Sequence, residues 1–204
     1  VSTSKNLKIG DWIGIPKYNI EGNIQDINLL TTKIVNFDKT ISTIPTYDLL
    51  STEIRNHQVM YEGSSRRIKR SIYFNIKSFK FVDDEFYEKV KDINLISEYM
   101  DRKLREIAES KKNIPHAERI INGQQLTNIG LFRNYVLNYL KNNPKVDQDE
   151  IVLVRQLEIS PQGMPLEIYC FANKAELVDY ERIQADIFDH ILTAAQEFDL
   201  EIMQ

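Results

Sequence analysis

Over residues 7–61 apolar side chains come in short alternating runs separated by turn residues. Asp11-Trp12-Ile13-Gly14-Ile15-Pro16 reads as a strand that ends at proline. Glu21-Gly22-Asn23 reads as a turn, Gly22 supplying the freedom a tight turn needs. Ile24, Ile27, Leu29 and Leu30 carry an apolar pattern on through Val35, broken once, as a bulge would break it. Asn36-Phe37-Asp38-Lys39 predicts a second turn. Residues 40–44, rich in β-branched side chains, predict a strand that Pro45 stops. Short strands with polar turns at this spacing predict a small barrel, which buries little area alone and leans on neighbours.

The pattern changes at residues 62–70. Glu62-Gly63-Ser64-Ser65 reads as a linker, and Arg66, Arg67, Lys69 and Arg70 form a basic run. A boundary here gives a β domain over 1–61 and an α/β domain over 62–204. In the latter, residues 67–76 predict a strand with Ile68, Ile72, Phe74 and Ile76 at even positions. Asp83-Asp84-Glu85 opens a helix, because acids favour the positive end of the helix dipole. A charged helix follows over 95–110 and a loop over 114–123. Thr127 caps a helix with Ile129, Phe132, Val136, Leu137 and Leu140 on one side, ended by Asn143-Pro144. Residues 151–159 and 166–171 predict paired strands around the turn Ser160-Pro161-Gln162-Gly163. A helix over 175–196 and a short strand over 200–203 close the chain. With a helical insertion at about 83–125, this order predicts an α+β chain whose second domain has a ferredoxin-like split βαβ pattern.

Composition narrows the function classes. The 204 residues are 42% hydrophobic and 27% charged, as in ordinary folded protein, and the net charge of −4 argues against nucleic acid as a main partner. A single cysteine, Cys170, makes no internal disulfide and fits a reducing compartment. No stretch approaches the length of apolar sequence that crosses a bilayer. The N-terminal Val-Ser-Thr-Ser-Lys is no signal peptide, and Val1 reads as a cut inside a longer chain.

No constellation of an enzyme is visible, and no cofactor or phosphate loop is expected. His57, His116 and His190 are far apart. Asp186 and His190 share one helical face at a spacing that could begin a metal site, but zinc needs three or four ligands; a surface histidine is the simpler reading. Cys170 alternates with apolar residues and reads as a buried structural thiol. The run Arg66, Arg67, Lys69 and Arg70 reads as the solvated face of a strand, as a contact to anionic lipid or a partner, or as an RNA contact.

Several of these segments together resemble one family, the small-conductance mechanosensitive channels. The resemblance rests on Gly10-Asp11, on Gly22-Asn23-Ile24 with Ile27, on Thr31-Thr32, on Asp38, and on Ile44-Pro45. The basic strand start Arg66-Arg67-Ile68-Lys69-Arg70 continues it. Leu126-Thr127-Asn128-Ile129-Gly130-Leu131-Phe132-Arg133 and Leu166-Glu167-Ile168-Tyr169-Cys170-Phe171 resemble the miniconductance-type branch. The chain departs from the pattern at Lys39, where glycine is common, and at Thr46, where asparagine is common. It carries no closing tail strand after Gln204.

The resemblance implies a Sm/SH3-like barrel followed by the ferredoxin-like domain. It implies a non-enzymatic role as the cytosolic vestibule of a homo-heptameric channel of the bacterial inner membrane, without a nucleic-acid partner. Such a channel is held by transmembrane helices this chain lacks, and releases ions and small solutes under membrane tension. The alternative is a soluble Sm-like module that binds RNA or another protein.

Overall fold

A computed structural model describes residues 7–203, and the chain divides into two compact units between Ser64 and Ser65. Each has its own core.

The first unit is an antiparallel sheet of five strands: β1 (Trp12–Ile15), β2 (Ile20–Ile27), β3 (Thr31–Asn36), β4 (Ile41–Pro45) and β5 (Arg55–Asn56). A short helix α1 (Asp48–Ser51) precedes β5, and α2 (Gln58–Glu62) follows it. The order across the sheet is β4-β3-β2-β1-β5. Its core is aliphatic: Ile13, Ile15, Ile24, Ile34, Ile44 and Leu49 are all buried.

Two expectations change here and one holds. Gly22 lies inside β2 and not in a turn; the reversal falls earlier, at the 3-10 turn Pro16–Tyr18, closed by Asn19 at φ 51°. The apolar run 24–35 is two strands, joined by a turn at 28–30 whose Leu29 and Leu30 are exposed. Asn28 makes that turn, its side-chain oxygen accepting from the N–H groups of Leu30 and Thr31. The break in the pattern is a bulge between Ile24 and Asp26.

The second unit has a three-stranded antiparallel sheet of β6 (Arg66–Phe74), β7 (Leu153–Gln156) and β8 (Met164–Ala172), in the order β6-β8-β7. Four helices accompany it: α3 (Asp84–Val90), α4 (Asn94–Lys111), α5 (Asn128–Lys141) and α6 (Leu177–Ala194). β6 ends at Phe74 because Asn75 turns the chain: its side chain accepts from Lys77 N–H, and Ile76 begins a 3-10 turn where it is exposed. The strand expected over 200–203 is a single bridge, Phe74 to Ile202, along the outer edge of β6. β7 is shorter than residues 151–159, since Ile151 and Ile159 lie in solvent.

Helix starts follow their caps. Asp83 accepts from Phe86 N–H and Thr127 from Gly130 N–H. Ile129, Phe132, Val136 and Leu140 of α5 are buried with Tyr180, Ile183, Ile187, Phe188 and Ile191 of α6, as the helical spacing requires. α6 passes into a 3-10 turn, Ala195–Phe198, that brings Phe198 against Phe132.

Candidate functional site

The positions that carry the sequence motif cluster in the first unit, and their geometry shows why each residue type is there. Gly10 has φ +96°, a left-handed conformation that leads into β1, and its N–H donates to the Ile24 carbonyl. Asp11 is almost fully buried. Its carboxylate accepts from the Lys8 backbone and from the Asn56 side chain, while its carbonyl accepts from Ile24 N–H. One carboxylate therefore ties the segment ahead of β1 to β5, 45 residues on in sequence.

Gly22 is required by crowding. A Cβ there would sit 2.1 Å from the Val35 carbonyl oxygen, so the β3 backbone passes where a side chain would be. Asp38 caps its turn, accepting from the N–H and hydroxyl of Thr40. These bonds hold its carboxyl below the usual aspartate range. Lys39 follows at φ +67°, a conformation glycine adopts at little cost.

Ile44 is buried opposite Thr32, and Pro45 closes β4. The next residue carries a feature the sequence did not reveal. Thr46 and Thr32 are both buried, their hydroxyls 3.0 Å apart. The Thr46 hydroxyl donates to the Asn28 carbonyl at 2.8 Å, so its one proton is used and Thr32 is the donor to it. Thr46 N–H donates to the Leu30 carbonyl. A threonine thus locks the β2–β3 turn to the end of β4.

In the second unit the basic run divides across the two faces of β6. Arg66 and Arg70 lie over the rings of Tyr180 and Phe188 of α6, at 4.4 and 4.3 Å. Arg67 and Lys69 point to the opposite face. Arg67 stands over Tyr169, and Lys69 lies 3.9 Å from Glu167. All four cations therefore have partners within their own unit. Glu167 is buried in the central strand, and Arg155 on β7 donates to it at 2.7 and 2.9 Å. The sequence reading missed this ion group. Its signal is a glutamate within an otherwise apolar strand opposite an arginine.

Asp186 and His190 do not converge. Asp186 takes Lys145 at 2.7 Å, and His190 Nε2 meets the Tyr135 hydroxyl at 2.7 Å while its ring stacks on Tyr139. No group of three metal-ligating side chains forms among the described residues. Cys170 is fully buried between the sheet and its helices, and burial pushes its thiol up to about 12.

Among the described residues no helix is long and apolar enough to cross a membrane. Comparison with known proteins locates the likeness at both ends of the chain. Residues 1–59 match the family described as mechanosensitive ion channel, beta-domain, and residues 117–202 match mechanosensitive ion channel MscS, C-terminal. The low conductance mechanosensitive channel YnaI of Escherichia coli K12 is 24% identical over 190 residues, covering 93% of this chain and 41% of that protein. An MscS family protein of Aquifex aeolicus is 33% identical over 72 residues, 35% of this chain and 17% of the relative. The chain thus spans less than half the length of these relatives. In fold it is similar to Arabidopsis thaliana MSL1, with TM-score 0.62 and 15% identity over 98% of this chain and 54% of that one. It is also similar to Helicobacter pylori MscS in its closed state, with TM-score 0.54 and 14% identity over 97% and 56%.

Proposed function

The chain belongs to the MscS family of mechanosensitive channels, carrying its β-domain and its C-terminal domain, and from that premise we propose that it is the cytosolic ring and vestibule wall of a tension-gated channel. Members of this family are homo-oligomers, and a heptamer on the cytoplasmic side of a bacterial inner membrane is the assembly proposed here. The full protein, with its membrane helices, releases ions and small solutes when tension opens the pore.

The carrying observation is the order of parts. A small five-stranded sheet with a core of six aliphatic residues is followed by a larger, separate α/β unit, and each matches its own family model in that order. We take the first unit as a Sm/SH3-like barrel and residues 1–61 and 62–204 as the two domains. For the second, a ferredoxin-like arrangement is supported by Ile202 bridging to β6 beyond the order β6-β8-β7. Assignment to the miniconductance-type branch rests on the segments around Leu126 and Leu166.

In this reading Gly10, Asp11, Gly22, Asp38, Ile44 and Pro45 are framework positions that keep the ring unit in register. Arg66, Arg67, Lys69 and Arg70 serve first as internal contacts, and any approach to lipid or a partner subunit uses the exposed face of Arg67 and Lys69. Patch recordings from cells that express the full-length protein test the proposal, together with survival of hypoosmotic shock. A tension-gated conductance is the expected result. A well-expressed, membrane-inserted protein without one overturns it.

A further inference from the structure

The second unit holds a cavity of about 390 Å³ bounded by α4, the segment ahead of α5, α5 itself and the end of β7. Its wall contains two cations, Lys103 and Arg133, three amides, Gln124, Gln125 and Gln156, and no carboxylate. That composition is unusual in a chain with 30 acidic and 26 basic residues. Of two other cavities of the same unit, around Lys145, one pairs that lysine with Asp186 and the other sets Asp179 among Lys145, Lys174 and Arg182, so each includes an acid where this one has none.

Gln124, Arg133 and Gln156 are exposed in this wall and Gln125 is half-buried. Arg133 has neither ion-pair nor hydrogen-bond partner among the described residues, and the amides of Gln124, Gln125 and Gln156 likewise make no internal hydrogen bond. Lys103 stands at the rim, paired with Glu106 at 2.6 Å. The first turn of α5 adds a positive field but no open donors, since Thr127 already accepts from Gly130 N–H and Leu131 N–H.

We propose that this cavity is a binding site for a small anion bearing a carboxylate or phosphate group. Arg133 supplies the planar pair of donors such a group takes bidentately. Lys103 exchanges Glu106 for the ligand at the rim, and the glutamine amides donate to its remaining oxygens or accept from its hydroxyls. The volume lies within the range of small-molecule pockets and exceeds what a single chloride fills. The site does not depend on the channel reading.

The test titrates the 204-residue chain with inorganic phosphate, and separately with succinate. The background is about 0.15 M salt, where exposed charges are screened beyond roughly 8 Å. Side-chain resonances of Gln124, Gln125, Gln156 and Arg133 are followed by NMR. Saturable shifts confined to these residues are expected with at least one of the two anions, and the one that saturates fixes the ligand class. Arg133→Gln weakens binding about tenfold or more, through loss of the charge-assisted bidentate contact. Gln156→Leu weakens it less, and Lys174→Gln, a cation outside this cavity, leaves it unchanged. Circular dichroism checks that each variant keeps its fold. Shifts that grow linearly and spread equally over Arg67 and Lys69, or an Arg133→Gln variant that binds like the parent, overturn the proposal.

Discussion

The two units of this chain solve the problem of stability in different ways. The second buries aromatic and aliphatic side chains from a sheet and four helices, with Phe74, Phe132 and Phe198 in edge-to-face contact at its centre. Each fully buried side chain of this size contributes about 1.5–3 kcal/mol, so area dominates. Among its described residues the first unit has six buried aliphatic side chains and no buried ring. Its register depends on polar locks: the Asp11 carboxylate between Lys8 and Asn56, the Thr32–Thr46 pair, and the Asp38 turn. A small sheet cannot rely on area, so the placement of single hydrogen-bonding groups decides whether it holds one structure.

The largest effect should follow from opening the second core. Phe132→Ala is expected to cost about 3–5 kcal/mol, read by calorimetry as a lower transition for the second unit alone. If the first unit's transition falls by the same amount, the two unfold as one, and the contrast between them is wrong. Next comes the polar lock of the first unit. Thr46→Val keeps the shape but leaves the Asn28 carbonyl and the Thr32 hydroxyl without their partner, at about 1–3 kcal/mol. Adding Thr32→Val should cost much less than the first substitution, because the two act as one pair. Additive losses would mean that the hydroxyls work independently.

A smaller gain is expected at the turn. Lys39 holds φ +67°, so Lys39→Gly should stabilise the first unit by up to about 1 kcal/mol, seen as a raised urea midpoint with unchanged slope. The smallest effect concerns acid. Lys80 and then Lys89 hydrogen-bond to Asp199 and hold its carboxyl below the usual range. A lowered folded value means that the contribution is present above the unfolded aspartate range and is lost as pH falls through the folded value. Asp199 is 40% exposed, so solvent screening limits the effect to about 0.5 kcal/mol or less. Asp199→Asn should remove that share of the acid-side slope for the second unit and leave the first unit's slope alone.

The helices of the second unit were legible because their signals are local. Asp83 and Thr127 cap where short-range rules place caps, and the apolar stripe of α5 needs only 3.6-residue spacing to be seen. In the first unit most strands and the turn at Asp38 were legible, but the reversals at Pro16–Tyr18 and at 28–30 were not. Leu29 and Leu30 looked like strand residues because apolar side chains normally seek burial. Asn28 overrides that preference by bonding two backbone N–H groups, which leaves both leucines in solvent. Gly22 looked like a turn because glycine usually marks one, whereas here the β3 backbone occupies the space a side chain would need.

The sequence by itself determined the starts of α3 and α5, the burial of Cys170 and the motif that joins Gly10-Asp11 to Ile44-Pro45. All of these follow from spacing, capping chemistry and side-chain type over short distances. Only the tertiary structure decided that Thr46 locks the β2–β3 turn and that Glu167 sits under Arg155. It also decided that Asp186 and His190 go to separate partners and that Arg133 faces a cavity without an acid. Each of these joins residues well separated in the chain, and the energy of a polar group depends on what surrounds it in space.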